Sequence, residues 1–245
     1  MSDSVRTADD VKTLLLSCTG DSSQETMKFY DRWAQTYNQD VKLINYAASH
    51  LGVDFLIDHF TGSRREDVQV LDVACGSGGV AKLMVERGFR HFVGVDGSGG
   101  MLALAAQTGL YQDLRLALLG TQPLPAQTDG FDVVIIVGAL DAGFAPVSVV
   151  RELCHAAKPG GLVCMARGEH RGAPARKYKE DLERELDLME EEGLWRPVGI
   201  KQSDRYMEDP HLNPEREEDT EEERFIGGTV YLYRKSIRPS VQISH

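Results

Sequence analysis

Cysteine is scarce in this chain of 245 residues. The four present (Cys18, Cys75, Cys154 and Cys164) lie far apart, with no C-x-x-C pair. That spacing argues against a bound metal and against a disulfide-stapled scaffold, and it fits a reducing intracellular setting, cytoplasmic or nuclear. No apolar run approaches the roughly 20 residues that span a bilayer, so no membrane partner is expected. Met1-Ser2-Asp3-Ser4 has neither a basic n-region nor an apolar h-region, so no secretory signal is expected. Positive charge is also short: 27 Lys and Arg face 38 Asp and Glu, for a net charge of −11. Segment 180–192 holds eight acids and one base, segment 215–224 seven acids and two bases, and the remainder is close to neutral. The two acidic runs read as solvated faces or loops. Without a basic stripe, nucleic acid is a disfavoured partner. No internal repeat is visible, the length suits one α/β unit with its own core, and a monomer is expected.

What the chain does have is concentrated at residues 68–79. A β-branched apolar run (Val68, Val70, Leu71, Val73) carries one acid, Asp72, and breaks into a glycine turn at Gly76, Gly78 and Gly79. An apolar helical pattern follows at Val80, Ala81, Leu83 and Met84. A strand turning sharply into a helix exposes backbone N–H groups, and glycines let a ligand approach them closely, so Gly76 and Gly78 are candidate cofactor contacts. Twenty-four residues after Asp72, a second apolar run (Phe92, Val93, Val95) ends in Asp96. An acid there is placed to accept hydrogen bonds from ribose hydroxyls. A nucleoside-containing cofactor is expected. Gly76-x-Gly78-x-x-Ala81 also fits a dinucleotide fingerprint, which leaves an NAD-dependent oxidoreductase open. Asp72, inside the strand, suits an ammonium group better than a pyrophosphate.

The run Val70-Leu71-Asp72-Val73-Ala74-Cys75-Gly76-Ser77-Gly78 resembles the first motif of the class I (seven-β-strand) S-adenosylmethionine-dependent methyltransferases, with Ala74 where that family often has its first glycine. Gly94-Val95-Asp96-Gly97-Ser98 followed by Met101-Leu102 resembles the second motif. Leu118-Leu119-Gly120, Phe131–Val137 and Lys158-Pro159-Gly160-Gly161 resemble the later strands and turns, and Tyr30-Asp31-x-x-Ala34-x-x-Tyr37 resembles an N-terminal element that folds over the cofactor. The resemblance implies S-adenosyl-L-methionine as cofactor. It adds Ala74, Gly97 and Tyr37 to the expected contacts, and it implies a last strand inserted antiparallel between the fifth and sixth. No Asn/Asp-Pro-Pro-aromatic tetrapeptide follows Val137, where the chain reads Gly138-Ala139-Leu140-Asp141, so methylation of adenine or glutamine nitrogen is disfavoured.

Along the chain, Thr7-x-x-Asp10 predicts a capping box opening a first helix. A second helix is expected to carry Met27, Tyr30, Ala34 and Tyr37, and a third to run over 40–60. Strands are expected near 68–73, 91–96, 114–119, 131–137, 161–166, 196–203 and 228–235, and helices near 79–87, 99–107, 146–156 and 176–192. The alternation predicts an α/β fold: a Rossmann-like, doubly wound, mostly parallel seven-stranded sheet with helices on both faces. Residues 1–67 would form an N-terminal helical cap over the cofactor and 68–245 the cofactor-binding unit. Residues 204–227 read as a polar insertion, a lid or a disordered loop.

Met101 suits an adenine edge, since thioethers pack well on aromatic rings. Gly120 and Val137 sit at expected C-terminal strand ends, where open α/β sheets bind ligands. Methyl transfer from a sulfonium is an in-line displacement, so the enzyme mainly aligns the reactants and needs a base only when the acceptor must lose a proton. Candidates for that base are Asp141, after the fourth strand, and Glu169 and His170, after the fifth. Arg167, Arg171, Arg176, Lys177 and Lys179 form a basic cluster there, read as a solvated helix entry or a grip on an anionic substrate. The expected activity is methyl transfer to a small-molecule or protein acceptor. A protein that binds the cofactor without turnover is the rival.

Overall fold

The computed structural model describes residues 6–18, 22–62, 64–212 and 224–237. Within them a seven-stranded sheet has the order β3-β2-β1-β4-β5-β7-β6. Strands β1 (Gln69–Val73), β2 (His91–Asp96), β3 (Tyr111–Leu116), β4 (Phe131–Val137) and β5 (Ala157–Gly168) run parallel. β7 (Phe225–Lys235) pairs antiparallel with β5 and with β6 (Trp195–Glu208), so the last strand lies between the fifth and sixth.

The two-residue period of the strands sorts their side chains onto two buried faces. Leu71, Val73, Val134 and Ile136 pack against α7 (Val149–Ala156) and against Leu182, Leu186 and Met189 of α8 (Ala173–Glu191). Val70, Val133 and Ile135 pack against α5 (Gly79–Glu86) and against Val53 and Leu56 of α4 (Ala48–His59). A third cluster joins α1 (Ala8–Leu16) and α2 (Ser23–Trp33) to Ile44, Tyr206, Met207 and Ile226. The N-terminal helices thus rest on the far end of the β6–β7 pair. α6 (Gly99–Gln107) follows β2, and its N-cap Ser98 accepts from the Met101 N–H at 3.1 Å.

Several boundaries differ from expectation. The helix expected to reach Tyr37 ends at Trp33, and Tyr37 opens α3 (Tyr37–Leu43). The cause is Asp40, whose carboxylate accepts from Trp33 Nε1 at 2.7 Å and Thr36 Oγ1 at 2.8 Å and turns the chain between the two helices. The helix expected over 40–60 is broken at Asn45, which has φ +50°. There the backbone leaves the helix to pair with the end of β6: Ala47 N–H donates to Tyr206 O and Glu208 N–H to Ile44 O. The third strand ends at Leu116 rather than 119. It is an edge strand, and Leu118 and Leu119 turn toward a cavity instead. β5 begins before Gly161 through a register shift against β4. The 204–227 segment is not simply a loop, because 204–208 extends β6 and 225–227 opens β7; residues 213–223 lie outside the described residues. Among the described residues no helix is long and apolar enough to cross a membrane.

Candidate functional site

β1 leaves the sheet through a turn in which Ala74, Gly76 and Gly78 all have positive φ (+54°, +53° and +87°). An L-residue in that region costs about 1–2 kcal/mol, which Ala74 bears and the glycines avoid. A Cβ added at Gly76 would meet nothing within 4 Å, so the turn presents bare backbone to open space. Asp96, the last residue of β2, braces the turn. Its Oδ2 accepts from the Gly76 N–H and its Oδ1 from the Ser98 N–H, both at 2.8 Å. Burial pushes the Asp96 carboxyl above its usual range, against the lowering effect of these N–H donors.

A cavity of about 410 Å³ opens beside this turn, within the range of small-molecule sites. The strand ends supply Ala74, Gly76, Asp96, Gly97, Val137 and Asp141; α6 supplies Met101; and Leu118 and Leu119 follow β3. The N-terminal helices close it with Met27, Tyr30, Trp33 and Tyr37, and the end of β6 adds Tyr206 and Met207. The aromatic wall is continuous: Trp33 and Tyr37 meet edge-on at 4.8 Å, and Tyr30 packs on Phe144 at 6.0 Å. Apolar packing of this kind excludes water from whatever the cavity holds.

Of the residues expected to bind a cofactor, Tyr37, Ala74, Gly76, Asp96, Gly97, Met101 and Val137 line this cavity, and Asp72, Gly78 and Gly120 do not. Asp72 shares its face of β1 with Val70, so its side chain lies beneath the turn. There Oδ2 accepts from Tyr111 Oη at 2.6 Å, while the buried Oδ1 has no hydrogen-bond partner among the described residues. Burial lifts the Asp72 carboxyl to about 7, despite the Tyr111 hydrogen bond that pulls it down. Gly78 is the left-handed N-cap of α5, and a Cβ there would meet the Tyr111 ring at 3.2 Å. Gly120, with φ +80°, is covered by Pro146. Leu118 and Leu119 hold the cavity wall where Gly120 was expected.

Among the candidate bases, Asp141 and His170 line the cavity, with His170 Nε2 3.8 Å from Asp141 Oδ2. Glu169 is engaged elsewhere, accepting from Lys179 Nζ at 3.0 Å and Thr229 Oγ1 at 2.9 Å. The basic cluster is largely paired: Arg171 with Asp209 at 2.7 Å, Lys177 with Asp181 at 2.8 Å, and Arg167 buried with its Nε donating to Leu140 O. Cys75 is buried, and burial pushes its thiol far above the ordinary value, which leaves it unreactive.

No motif or local periodicity points to Tyr46 and Tyr206, whose hydroxyls lie 3.4 Å apart in the cavity wall. Tyr46 sits over Gly138, where a Cβ would come within 2.0 Å of its hydroxyl. Asp31, which the sequence offers only within the Tyr30–Tyr37 motif, ties α2 to α6: its Oδ1 accepts from Ser98 Oγ at 2.6 Å and Gly100 N–H at 2.9 Å. Ser77 Oγ likewise donates to Asn38 Oδ1 at 2.6 Å and links the β1 turn to α3.

The donor set suits S-adenosylmethionine. Asp96 offers remaining acceptor lone pairs at the cavity edge, Asp72 keeps an unpaired buried oxygen beneath the turn, and bare backbone at Gly76 faces open space. Comparison with known proteins agrees. A family model described as a methyltransferase domain matches residues 70–161. Methyltransferase-like protein 27 of Homo sapiens is 46% identical over 171 residues, 70% of this chain and 68% of that protein. Among solved structures, the [4+2]-cyclase SpnF superposes with a TM-score of 0.63 at 16% identity, over 89% of this chain and 97% of that one. An S-adenosylmethionine-dependent methyltransferase from Mesorhizobium loti superposes with a TM-score of 0.52 at 19% identity, over 74% and 96%. At these identities the structural likenesses concern the fold alone.

Proposed function

The chain belongs to the class I S-adenosylmethionine-dependent methyltransferases, and from that premise we propose that it moves the methyl group of S-adenosylmethionine to a small-molecule or protein acceptor. The bound cofactor supplies an activated methyl group on a sulfonium sulfur. The protein supplies grip, alignment and a dry enclosure. Asp96 accepts hydrogen bonds from the two ribose hydroxyls, each charge-assisted bond contributing about 1.5–3 kcal/mol. Asp72 balances the ammonium group from beneath the turn, directly or through water. The backbone at Ala74, Gly76 and Gly97 allows close approach, while Met101, Val137 and Tyr37 pack on the nucleoside and methionine portions.

The observation that carries this reading is the Asp96 carboxylate, fixed by the Gly76 and Ser98 N–H groups at the edge of the cavity. Calorimetric titration with S-adenosylmethionine, S-adenosylhomocysteine and NAD tests it, and binding of NAD alone would overturn it. Asp96→Ala is expected to weaken S-adenosylmethionine binding at least tenfold, about 1.4 kcal/mol. Because a cyclase shares the fold, turnover needs its own measurement. Labelled methyl transfer into cell extract should be strong with the wild type and lost with Asp96→Ala. Equal labelling by both would refute the ribose contact.

A further inference from the structure

Resting on that cofactor reading, we propose that His170, paired with Asp141, is the general base of this site, and that the methyl acceptor is the hydroxyl of a neutral phenol. Asp141 follows β4 and His170 follows β5, and both reach the cavity that Asp96 and Gly76 border. The imidazole lies back over the end of β5, where a glycine leaves it room. Gly168 has no Cβ, and one built there would lie 2.9 Å from His170 Nε2 and 2.9 Å from the Tyr206 ring. Nε2 stands 3.8 Å from Asp141 Oδ2, close enough for that carboxylate to stabilise an imidazolium, yet without a hydrogen bond that would occupy the nitrogen.

The groups facing His170 come from every neighbouring element. Asp141 follows β4; Arg167 and Glu169 lie at the end of β5; Asp209, paired with Arg171, follows β6. With 38% of its side chain exposed, His170 is only partly desolvated; that desolvation and the Arg167 guanidinium hold the imidazole below its ordinary value, against the opposing pull of Asp141, Asp209 and Glu169, so its neutral form is the one that meets the acceptor at neutral pH. Other groups are poorer bases. Burial keeps the Tyr46 and Tyr206 phenols neutral, and Glu169 is held by Lys179 and Thr229.

The class of acceptor follows from the walls and from the strength of this base. Tyr30, Trp33, Tyr46 and Phe144 present ring surface, which suits a flat apolar body. The acids Asp96 and Asp141 oppose an anionic acceptor. A neutral imidazole can take the proton of a phenol as the oxygen attacks, whereas an aliphatic alcohol is far too weak an acid. In the step, the phenol O–H proton passes to His170 and the oxygen lone pair forms a bond to the methyl carbon. The carbon–sulfur bond breaks, with its electron pair going to sulfur. The products are an aryl methyl ether, S-adenosylhomocysteine and an imidazolium beside the Asp141 carboxylate.

The test uses the full-length protein saturated with S-adenosylhomocysteine and 4-nitrophenol as probe, whose phenolate is yellow. In the wild type the bound probe should ionise at a lower pH than in His170→Gln, because the imidazole is there to take its proton. In His170→Gln it should ionise at or above its solution pH, because an apolar cavity alone disfavours the phenolate, and Asp141→Asn should fall between. With S-adenosylmethionine, His170→Gln should lower kcat for 4-nitroanisole formation at least a hundredfold with little change in KM, and flatten its pH profile. Calorimetry with S-adenosylhomocysteine on each variant separates the two readings. Failure of the wild type to bind S-adenosylhomocysteine overturns the cofactor assignment. Normal binding with no saturable probe signal, or with equal probe ionisation in His170→Gln, overturns the base and acceptor assignment alone.

Discussion

Asp72 is the residue whose chemistry is least settled by its position in a motif. It lies on β1, 1% exposed, with one oxygen bonded to Tyr111 and the other unpaired. Its carboxyl is raised by burial to about 7, above the ordinary 3.8 that it regains on unfolding. Between those values the folded chain holds a proton that the unfolded chain has lost. The stabilising contribution is therefore complete below about pH 4 and is lost as pH rises through about 7. Asp72→Asn cannot ionise and should keep that contribution. In denaturant titrations, the stability of the wild type should fall relative to Asp72→Asn between pH 4 and 7, by about 4 kcal/mol at most. Parallel curves would show that Asp72 is already ionised in the folded state. Because an ammonium group favours the ionised form, S-adenosylmethionine affinity in the wild type should rise over the upper part of the same interval. The sequence singles out this acid, since an acid inside an apolar strand is conspicuous. Its retreat beneath the turn was harder to read, because that depends on Tyr111, thirty-nine residues away.

At the scale of elements, strands buried on both faces were legible because β-branched runs bounded by glycine have few other interpretations; β1, β2 and β4 fall within a residue of expectation. The misread segments are those shaped by distant partners. The α2–α3 break follows from one buried carboxylate, Asp40, and the α3–α4 break from backbone pairing with β6. Tyr46 and Tyr206 enter the cavity from those same irregular stretches, so no local periodicity announced them. The capping box of α1, by contrast, is purely local and was readable. Thr7 Oγ1 accepts from the Asp10 N–H at 3.3 Å, and the Thr7 N–H donates to Asp10 Oδ2 at 2.8 Å. α1 lends Leu15 and Leu16 to the cavity wall, so its fraying opens the site. Thr7→Ala removes the side-chain half of the box. Amide exchange in α1 should then become several-fold faster while the strands exchange at an unchanged rate, and Thr7→Ser should restore protection. Unchanged α1 exchange in Thr7→Ala would mean that tertiary packing alone holds the helix.

For the whole molecule, the question is whether the N-terminal helices and the sheet act as one unit when the cofactor binds. The cavity takes walls from both, and specific bonds cross between them: Asp31 to Ser98 and Gly100, Asn38 to Ser77, and Lys12 to Glu208 at 2.9 Å. A ligand that touches both parts stabilises only the state in which they are docked. At a hundred times its dissociation constant it adds about 2.7 kcal/mol, which for a chain of this size raises Tm by about 5–10 °C. Calorimetric scans with S-adenosylhomocysteine should therefore show one transition that moves up as a whole. Asp96→Ala, with tenfold weaker affinity, should at the same ligand concentration retain about half the shift. Were the helices a separate unit, an early transition would stay fixed while a later one moved, and the cap would then be a gate resting on the sheet. The three buried clusters argue against that outcome, because the one formed by the N-terminal helices is completed by Tyr206, Met207 and Ile226 of the sheet itself. Undocking would expose those side chains together with Phe29, Trp33 and Ile44, and the loss of that burial on both sides makes partial unfolding costly enough to merge the two transitions.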